Sequence, residues 1–217
     1  AVHAGTLIAV IYYFRKETAL MFKSFLLTDV NLLPHRNLAI SLIVATIPII
    51  LAGLFVKDFI DERVFNIEHI AMANIIFAGI LLFAYLKRKD IKNLYSVTLY
   101  SALFVGVFQS LALFPGASRS GTAITAALLL GFNLKDASKF SFMLGIPTIF
   151  GALFLLIIEM HSTLEAFNYM NLIIGFFISM IIAFLTIKLF LNFVERIGMI
   201  PFVIYRIILG VFLIILI

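Results

Sequence analysis

The sequence predicts an all-α protein that crosses a membrane several times. Of its 217 residues, 64% are apolar and only 12% are charged, which is far from the balance of a soluble domain. The apolar residues form long runs rather than the short alternating segments of a membrane β-barrel. Because the bilayer offers no hydrogen bonds, the backbone polar groups must be satisfied within helices. We therefore predict a single transmembrane domain over residues 1–217.

The composition excludes several kinds of functional site. There are no cysteines, which excludes a disulfide framework, a thiolate nucleophile and a cysteine-bound metal. The net charge of +5 is ordinary for a membrane protein, whose Lys and Arg residues gather in cytoplasmic loops. The sequence has no basic face of the kind that binds nucleic acid, so the expected partners are lipids and the membrane.

Six apolar runs are long enough to cross the hydrocarbon core: Leu38–Val56, Ile67–Leu86, Ser96–Phe114, Phe140–Ile158, Asn171–Val194 and Pro201–Ile217. Each has roughly the 20 residues that a spanning helix needs. Ala1–Phe14 is apolar but too short to span, so we expect it to be the second part of a helix that begins upstream. The 217 residues are therefore expected to be a fragment of a longer protein.

One apolar segment, Ala123–Phe132, is only about half a span long, or about 15 Å of helix. It follows the polar loop PGASRSG at 115–121 and precedes Asn133. Irregular backbone at membrane depth is tolerated where it lines a polar cavity. We therefore predict that residues 115–133 form a loop and a re-entrant half-helix that do not cross the bilayer.

Two apolar segments that contain proline resemble each other. Ile47–Phe55 reads IPIILAGLF, and Ile146–Phe154 reads IPTIFGALF. Matching proline-bearing segments are typical of membrane folds built from inverted repeats around a central site. We favour that interpretation over chance recurrence in so apolar a chain.

The distribution of Lys and Arg predicts the orientation. Loops 15–37 and 87–92 are rich in both, whereas loop 57–66 is balanced and loop 159–170 carries only the acidic Glu159 and Glu165. The positive-inside rule places the first two loops in the cytoplasm. The span Ser96–Phe114 then runs outward, so loop 115–121 is expected at or beyond mid-depth, toward the external side.

Loop 115–121 has the composition of an anion site. Arg119 is the only basic residue between positions 92 and 135, and an Arg within the membrane costs roughly 2.5–3.5 kcal/mol unless something compensates it. Its planar guanidinium suits phosphate, and the helix that follows, from about Thr122, directs its positive N-terminus to the same place. Hydroxyl groups and flexible glycine backbone complete the predicted phosphate site, which comprises Gly116, Ser118, Arg119, Ser120, Gly121 and Thr122.

Structural roles are the alternative for several polar residues. Arg119 could pair with a carboxylate such as Glu68 or Glu159, but charges within the membrane are usually functional, which favours phosphate binding. Glu68 and His69 could form a metal pair, but their position in a first helical turn favours a helix cap. Arg206 is interpreted as a side chain that extends to the membrane interface.

The signature at 115–121, with Gly106 and Gln109 before it and Phe140-Ser141-Phe142 after it, resembles the undecaprenyl-diphosphate phosphatase family, also called the bacitracin-resistance family. The segments 3–10 and 200–206 are similar to that family too, so the resemblance covers essentially the whole chain. It implies hydrolysis of undecaprenyl diphosphate to the monophosphate with a divalent cation, Mg²⁺ or Ca²⁺. It also implies interlocked inverted repeats, an outward-facing pocket, and catalytic roles for Ser118 and Arg119.

The chain departs from the family in two places. The family usually has a Thr two residues after the last Gly of the signature, where this chain has Ala123, with Thr122 one position earlier. The family's Glu-rich segment and Ser-Ser-Thr-Gly-His motif, which supply the metal carboxylates and the acid–base His, are expected upstream of Ala1. Neither Glu17 nor His3 fits those roles. We therefore predict no metal ligand within residues 1–217, and little phosphatase activity from these residues alone.

Two other functions are compatible with the same residues. A lipid-carrier flippase or transporter could use the same basic pocket, and a non-catalytic lipid-carrier receptor would bind without turnover. For a phosphatase, attack by Ser118 and attack by a metal-activated water both fit the signature. The sequence does not assign the oligomeric state.

Overall fold

The computed structural model describes residues 1–61, 66–160 and 169–216, with the backbone alone for 57–61, 159 and 160. In these ranges the chain forms α-helices joined by short turns, which confirms the all-α prediction. The helices are α1 (Val2–Tyr13), α2 (Arg15–Leu26), α3 (Leu33–Asp61), α4 (Ile67–Lys87), α5 (Leu99–Ser110), α6 (Arg119–Leu129), α7 (Leu134–Met160), α8 (Tyr169–Ile197) and α9 (Ile200–Ile215).

Four of the described helices, α3, α4, α7 and α8, are long and apolar enough to cross a membrane. They contain the predicted spans near 38–56, 67–86, 140–158 and 171–194, and α4 begins at the predicted residue. The other apolar helices, α1, α5 and α9, are shorter. The chain is thus a multi-pass membrane protein, as predicted. The polar stretch at 15–37, predicted as a connection, contains α2 and the first residues of α3.

Two predicted spans, Ser96–Phe114 and Pro201–Ile217, are not among the described helices that are long enough to cross a membrane. Helix α5 begins only at Leu99, because Thr98 caps it: the Thr98 hydroxyl accepts from the backbone N–H of Ser101, and the Ser101 hydroxyl accepts from the N–H of Thr98. The helix ends at Ser110, and a 3₁₀ turn of three residues follows. Pro115 then has no N–H with which to continue a helix. The segment is apolar enough to span but too short.

Helix α6 is the short apolar helix that the sequence predicted, but it begins at Arg119 rather than near Thr122. With 11 residues it is about 16 Å long. Every residue from Gly121 to Leu128 is buried, so α6 lies inside the bundle, where it packs against α4, α5 and α7. Gly131, at φ +89°, ends this segment in a turn.

Backbone hydrogen bonds join the two ends of the α5–α6 segment. The N–H of Lys92 donates to the carbonyl of Gly131 at 2.9 Å, and the N–H of Asn133 donates to the carbonyl of Lys92 at 3.0 Å. The Asn133 side chain adds a bond to the same carbonyl at 3.1 Å. Residues 91–93 and 131–133 therefore lie together, and we call this contact the hairpin base. From it the chain runs out along α5 and back along α6.

The proline-bearing segments lie in α3 and α7, which pack side by side. Both helices begin near the hairpin base: Asn37 lies with Val97 around one small cavity, and Asn133 bonds to Lys92. The two segments therefore run in the same direction and are not related to each other by inversion. Inverted repeats elsewhere in the chain remain a prediction.

Basic residues gather at the end of the bundle that holds the hairpin base. Arg88, Lys135 and Arg196 line one polar cavity of about 470 Å³ there, and Lys135 pairs with Glu195 at 2.6 Å. The prediction that loops 15–37 and 87–92 lie in the cytoplasm stays a prediction. The predicted orientation also relied on the lower Lys and Arg content of the loops at 57–66 and 159–170. The side chains from 57 to 65 and from 159 to 168, including Glu159 and Glu165, lie outside what the structure describes.

Candidate phosphate site

The signature loop turns through two left-handed residues. Gly116 has φ +95°, and an added Cβ there would collide with the backbone carbonyl of Ile70 on α4. Only glycine meets both demands, so Gly116 seats the loop against α4. Ser118 has φ +69°, which is uncommon for a residue with a side chain and is typical of functional turns.

Ser118 caps α6. Its hydroxyl oxygen accepts from the backbone N–H of Gly121 at 3.2 Å, and its side chain is otherwise exposed. The first N–H groups of a helix have no partner within the helix, and those of Arg119 and Ser120 therefore stay available for an anion. The predicted anion-binding helix terminus thus lies within the signature itself, three residues earlier than the sequence suggested.

Arg119 lies half-buried in the first turn of α6 and has a buried donor without a partner. Its Nη1 is inaccessible to solvent and makes no hydrogen bond to any described residue. A buried donor in this state costs about 1–3 kcal/mol, and more when it is charged. The alternative pairing of Arg119 with Glu68 does not occur, since no ion pair joins the two side chains and Glu68 is exposed. The side chain of Glu159 falls outside the described residues.

A second guanidinium, that of Arg206 on α9, holds the loop from the other side. Its Nη2 donates to the carbonyls of Gly116 at 2.8 Å and Ala117 at 3.1 Å, and its Nε donates to the Asn74 side chain at 2.7 Å. Asn74, on α4, returns a bond from its Nδ2 to the carbonyl of Arg206 at 2.8 Å. The interpretation of Arg206 as an interfacial side chain is therefore wrong, because these acceptors satisfy it inside the bundle.

The remaining predicted residues take different positions. Ser120 lines a cavity beside Arg119, and its carbonyl accepts from the Ser141 hydroxyl at 3.2 Å. Gly121 is buried, and an added Cβ would lie 3.1 Å from Nη1 of Arg206. Thr122 is also buried, and its hydroxyl donates to the carbonyl of Arg119 at 2.9 Å. Thr122 could bind phosphate, as predicted, only if its hydroxyl gave up the hydrogen bond to the Arg119 carbonyl.

A cavity of about 640 Å³ opens beside the loop. Arg119 and Ser120 provide its polar end, and α1, α7 and α8 provide mostly apolar walls that include Val10, Phe142 and Ile182. A cavity with a cationic end and apolar walls suits a ligand with an anionic head and a hydrocarbon chain.

The described residues do not fit a protein-held metal. They contain no group of three or more His, Asp or Glu side chains that could hold an ion. His69 belongs to a helix cap instead: its N–H donates to Asn66 Oδ1 at 2.9 Å, and its Nδ1 accepts from the N–H of Asn66 at 3.4 Å. This confirms the cap interpretation of His69. The predicted location of metal ligands upstream of Ala1 stays a prediction.

Comparison with known proteins gives a consistent result over nearly the whole chain. Residues 1–212 match the family described as bacitracin resistance protein BacA. The undecaprenyl-diphosphatase of Saccharophagus degradans is 42% identical over 214 residues, covering 97% of this chain and 79% of that protein. Undecaprenyl-diphosphatase 1 of Pseudoalteromonas translucida is 40% identical over 219 residues, covering 99% and 82%. The resemblance inferred from the signature is thereby confirmed, and the chain belongs to the bacitracin resistance protein BacA family.

Proposed function

We propose that this protein is a membrane-embedded phosphatase that hydrolyses undecaprenyl diphosphate to undecaprenyl phosphate and inorganic phosphate. Relatives about 40% identical over almost the whole chain carry the name undecaprenyl-diphosphatase. The product is the lipid carrier in the form that cell-wall synthesis reuses, as the family resemblance implies.

The observation that carries the proposal is the unpartnered guanidinium of Arg119. A buried cationic donor persists only if something compensates its cost, and the described residues offer no carboxylate. Arg206 brings a second positive charge to the same loop, although its bonds go to neutral acceptors. Two cations and the helix N-terminus, with the backbone N–H groups of its first turn, together favour a multiply charged anion such as a diphosphate.

Hydrolysis breaks the bond between the terminal phosphorus and the bridging oxygen, while a new oxygen bonds to that phosphorus. Arg119 stabilises the negative charge that shifts among the terminal oxygens during transfer. Gly121 N–H and the helix dipole favour an anionic Ser118 oxygen, so attack by Ser118 fits the geometry. Such attack would release undecaprenyl phosphate and leave a phosphoserine, which water would then hydrolyse to inorganic phosphate and free Ser118. Attack by a water molecule fits as well, with Ser118 then binding the phosphate.

A re-entrant hairpin formed by α5 and α6 supports an active site near mid-depth. The length of α6 sets its first turn about 16 Å from the hairpin base. Asn74 bonds to Arg206, which holds the loop. Along α4, Asn74 is 13 residues, or about 20 Å, from Lys87 at the basic end. With the hairpin base at the membrane surface, both distances support a loop slightly beyond the middle of a ~30 Å hydrocarbon core. We propose that the pocket opens to the external side.

Release of phosphate is the test of this function. The protein is expressed from its complete gene, purified in detergent and given undecaprenyl diphosphate, and inorganic phosphate is measured. We expect turnover by the wild type and by Arg196→Ala, an exposed change at the far end of α8, and little by Arg119→Ala. A flippase would move lipid between leaflets of a proteoliposome and release no phosphate. A receptor would bind the lipid and release none.

A divalent cation, Mg²⁺ or Ca²⁺, belongs to the proposal through the family resemblance alone. When bound, such an ion would neutralise diphosphate charge. Because the described residues supply no ligand cluster, no step here is derived through it. Treatment with a chelator should stop phosphate release and leave the helical content unchanged, and added Mg²⁺ or Ca²⁺ should restore the activity.

A further inference from the structure

Helix α7 passes the guanidinium of Arg119 at Gly145. A Cβ added to Gly145 would lie 2.7 Å from Nη2 of Arg119, 3.3 Å from its Nη1 and 3.4 Å from its Cζ. Contacts this short are almost absent from real proteins, so any side chain at position 145 would displace the guanidinium. A glycine inside a helix costs about 1 kcal/mol relative to alanine, and this close approach is what Gly145 provides in return.

A hydrogen bond and buried side chains join α7 to α6 beside Gly145. One turn before Gly145, the Ser141 hydroxyl donates to the carbonyl of Ser120 at 3.2 Å and joins α7 to the first turn of α6. Residues 141 and 145 share one face of α7 because they are four apart. Met143 and Leu144 between them are fully buried. Added bulk at position 145 must therefore be accommodated by the Arg119 side chain.

That side chain is free to yield in one direction. Its Nη1 makes no hydrogen bond to a described residue, so packing sets the position of the guanidinium. Away from α7 lies the cavity of about 640 Å³ that Arg119 lines. We propose that Gly145 is a positioning residue for Arg119: its missing side chain lets the guanidinium rest against α7, and any larger residue pushes it into the cavity. This inference rests on the proposed phosphatase function for its catalytic consequence.

The first test compares turnover in the complete gene product. Gly145→Ala and Gly145→Val are matched with Gly151→Ala and Gly151→Val on the same helix, where an added Cβ would meet only the Ile50 side chain at an ordinary 3.4 Å. A misplacement near 1 Å can cost about 100-fold in rate. We expect kcat to fall about 10-fold for Gly145→Ala and about 100-fold for Gly145→Val, with KM changed by less than about threefold. The Gly151 variants should stay within about twofold of wild type.

The second test reports the position of Arg119 without catalysis. Modification of Arg119 by phenylglyoxal, followed by mass spectrometry of the peptide, should be several-fold faster in the Gly145 variants than in wild type and unchanged in the Gly151 variants. The Tm of each variant is measured alongside, and if Gly145→Val fails to fold, Gly145→Ala carries the test. Unchanged labelling and unchanged kcat would overturn the inference, as would faster labelling with unchanged kcat. A wild type that releases no phosphate would instead overturn the proposed function, while the labelling still tests the geometry.

Discussion

Replacing Arg206 with Met tests whether the second guanidinium holds the signature loop in place. The change keeps a long apolar stem and removes the donors to Asn74, Gly116 and Ala117. A hydrogen bond from a charged donor contributes about 1.5–3 kcal/mol. The sum over these hydrogen bonds is an upper bound on the loss of stability, because removing the buried charge also relieves its desolvation cost. We expect a net loss of about 2–4 kcal/mol in the free energy of unfolding.

Thermal unfolding in detergent measures this loss. For a chain of this size, each kcal/mol corresponds to roughly 2–4 °C, so the Tm of Arg206→Met should fall by about 5–15 °C. The Tm of Arg206→Lys should lie between those of wild type and Arg206→Met, since one ammonium cannot reach both the Asn74 side chain and the loop carbonyls. Arg196→Met, which alters an exposed Arg at the end of α8, should change the free energy by less than about 0.5 kcal/mol.

A double-mutant cycle identifies the bonds responsible. Asn74→Leu removes the same Arg206–Asn74 contacts from the other side, so the losses from Asn74→Leu and Arg206→Met should be smaller together than their sum by about 1 kcal/mol or more. A Tm for Arg206→Met equal to that of wild type, or strict additivity with Asn74→Leu, would show that these bonds do not stabilise the loop.

Three further predictions concern the loop itself. Gly116→Ala should lower the yield of folded protein or cost more than about 2 kcal/mol, measured by size-exclusion and Tm, because its φ of +95° and the Ile70 carbonyl leave no room for a Cβ; a normal Tm would contradict the geometry. Ser118→Gly should keep or slightly raise Tm, since it relieves a φ of +69°, while phosphate release falls; full activity would exclude a role for the hydroxyl. Arg119→Lys should lower kcat by roughly 10²–10³-fold in the complete protein with less effect on KM, whereas a loss confined to affinity would make Arg119 an electrostatic anchor.

Hydropathy predicted the long helices correctly because a helix surrounded by lipid must consist mainly of apolar residues. The limits of α4 follow from the apolar run that begins at Ile67, and the short length of α6 follows from Asn133 and the signature on either side. Hydropathy failed for α5, which is as apolar as a span. Its true start is set by the Thr98–Ser101 cap, a signal that was present in the sequence and outweighed by the apolar run.

The site was predictable only in part. The residue types of the signature indicated an anion site, and Arg119 has the unpartnered donor that such a site requires. The contribution of Asn74 and Arg206 could not be inferred from the local sequence, because the two residues are 132 positions apart and each is an isolated polar residue within an apolar helix. The left-handed conformation of Ser118 could not be predicted either, since serine rarely adopts a positive φ whereas glycine often does.

The hairpin base has a consequence for how the fold can change. Since the chain leaves and returns at the same end, the segment between Lys92 and Asn133 leaves the direction of every later span unaltered. The α5–α6 segment therefore does not change the side on which the next helix begins. Helix α7 would start at the same end of the bundle whether α5 and α6 were present, lengthened or replaced. The segment that carries loop 115–121 is thus connected along the chain to the long helices at one end of the bundle only, at the hairpin base.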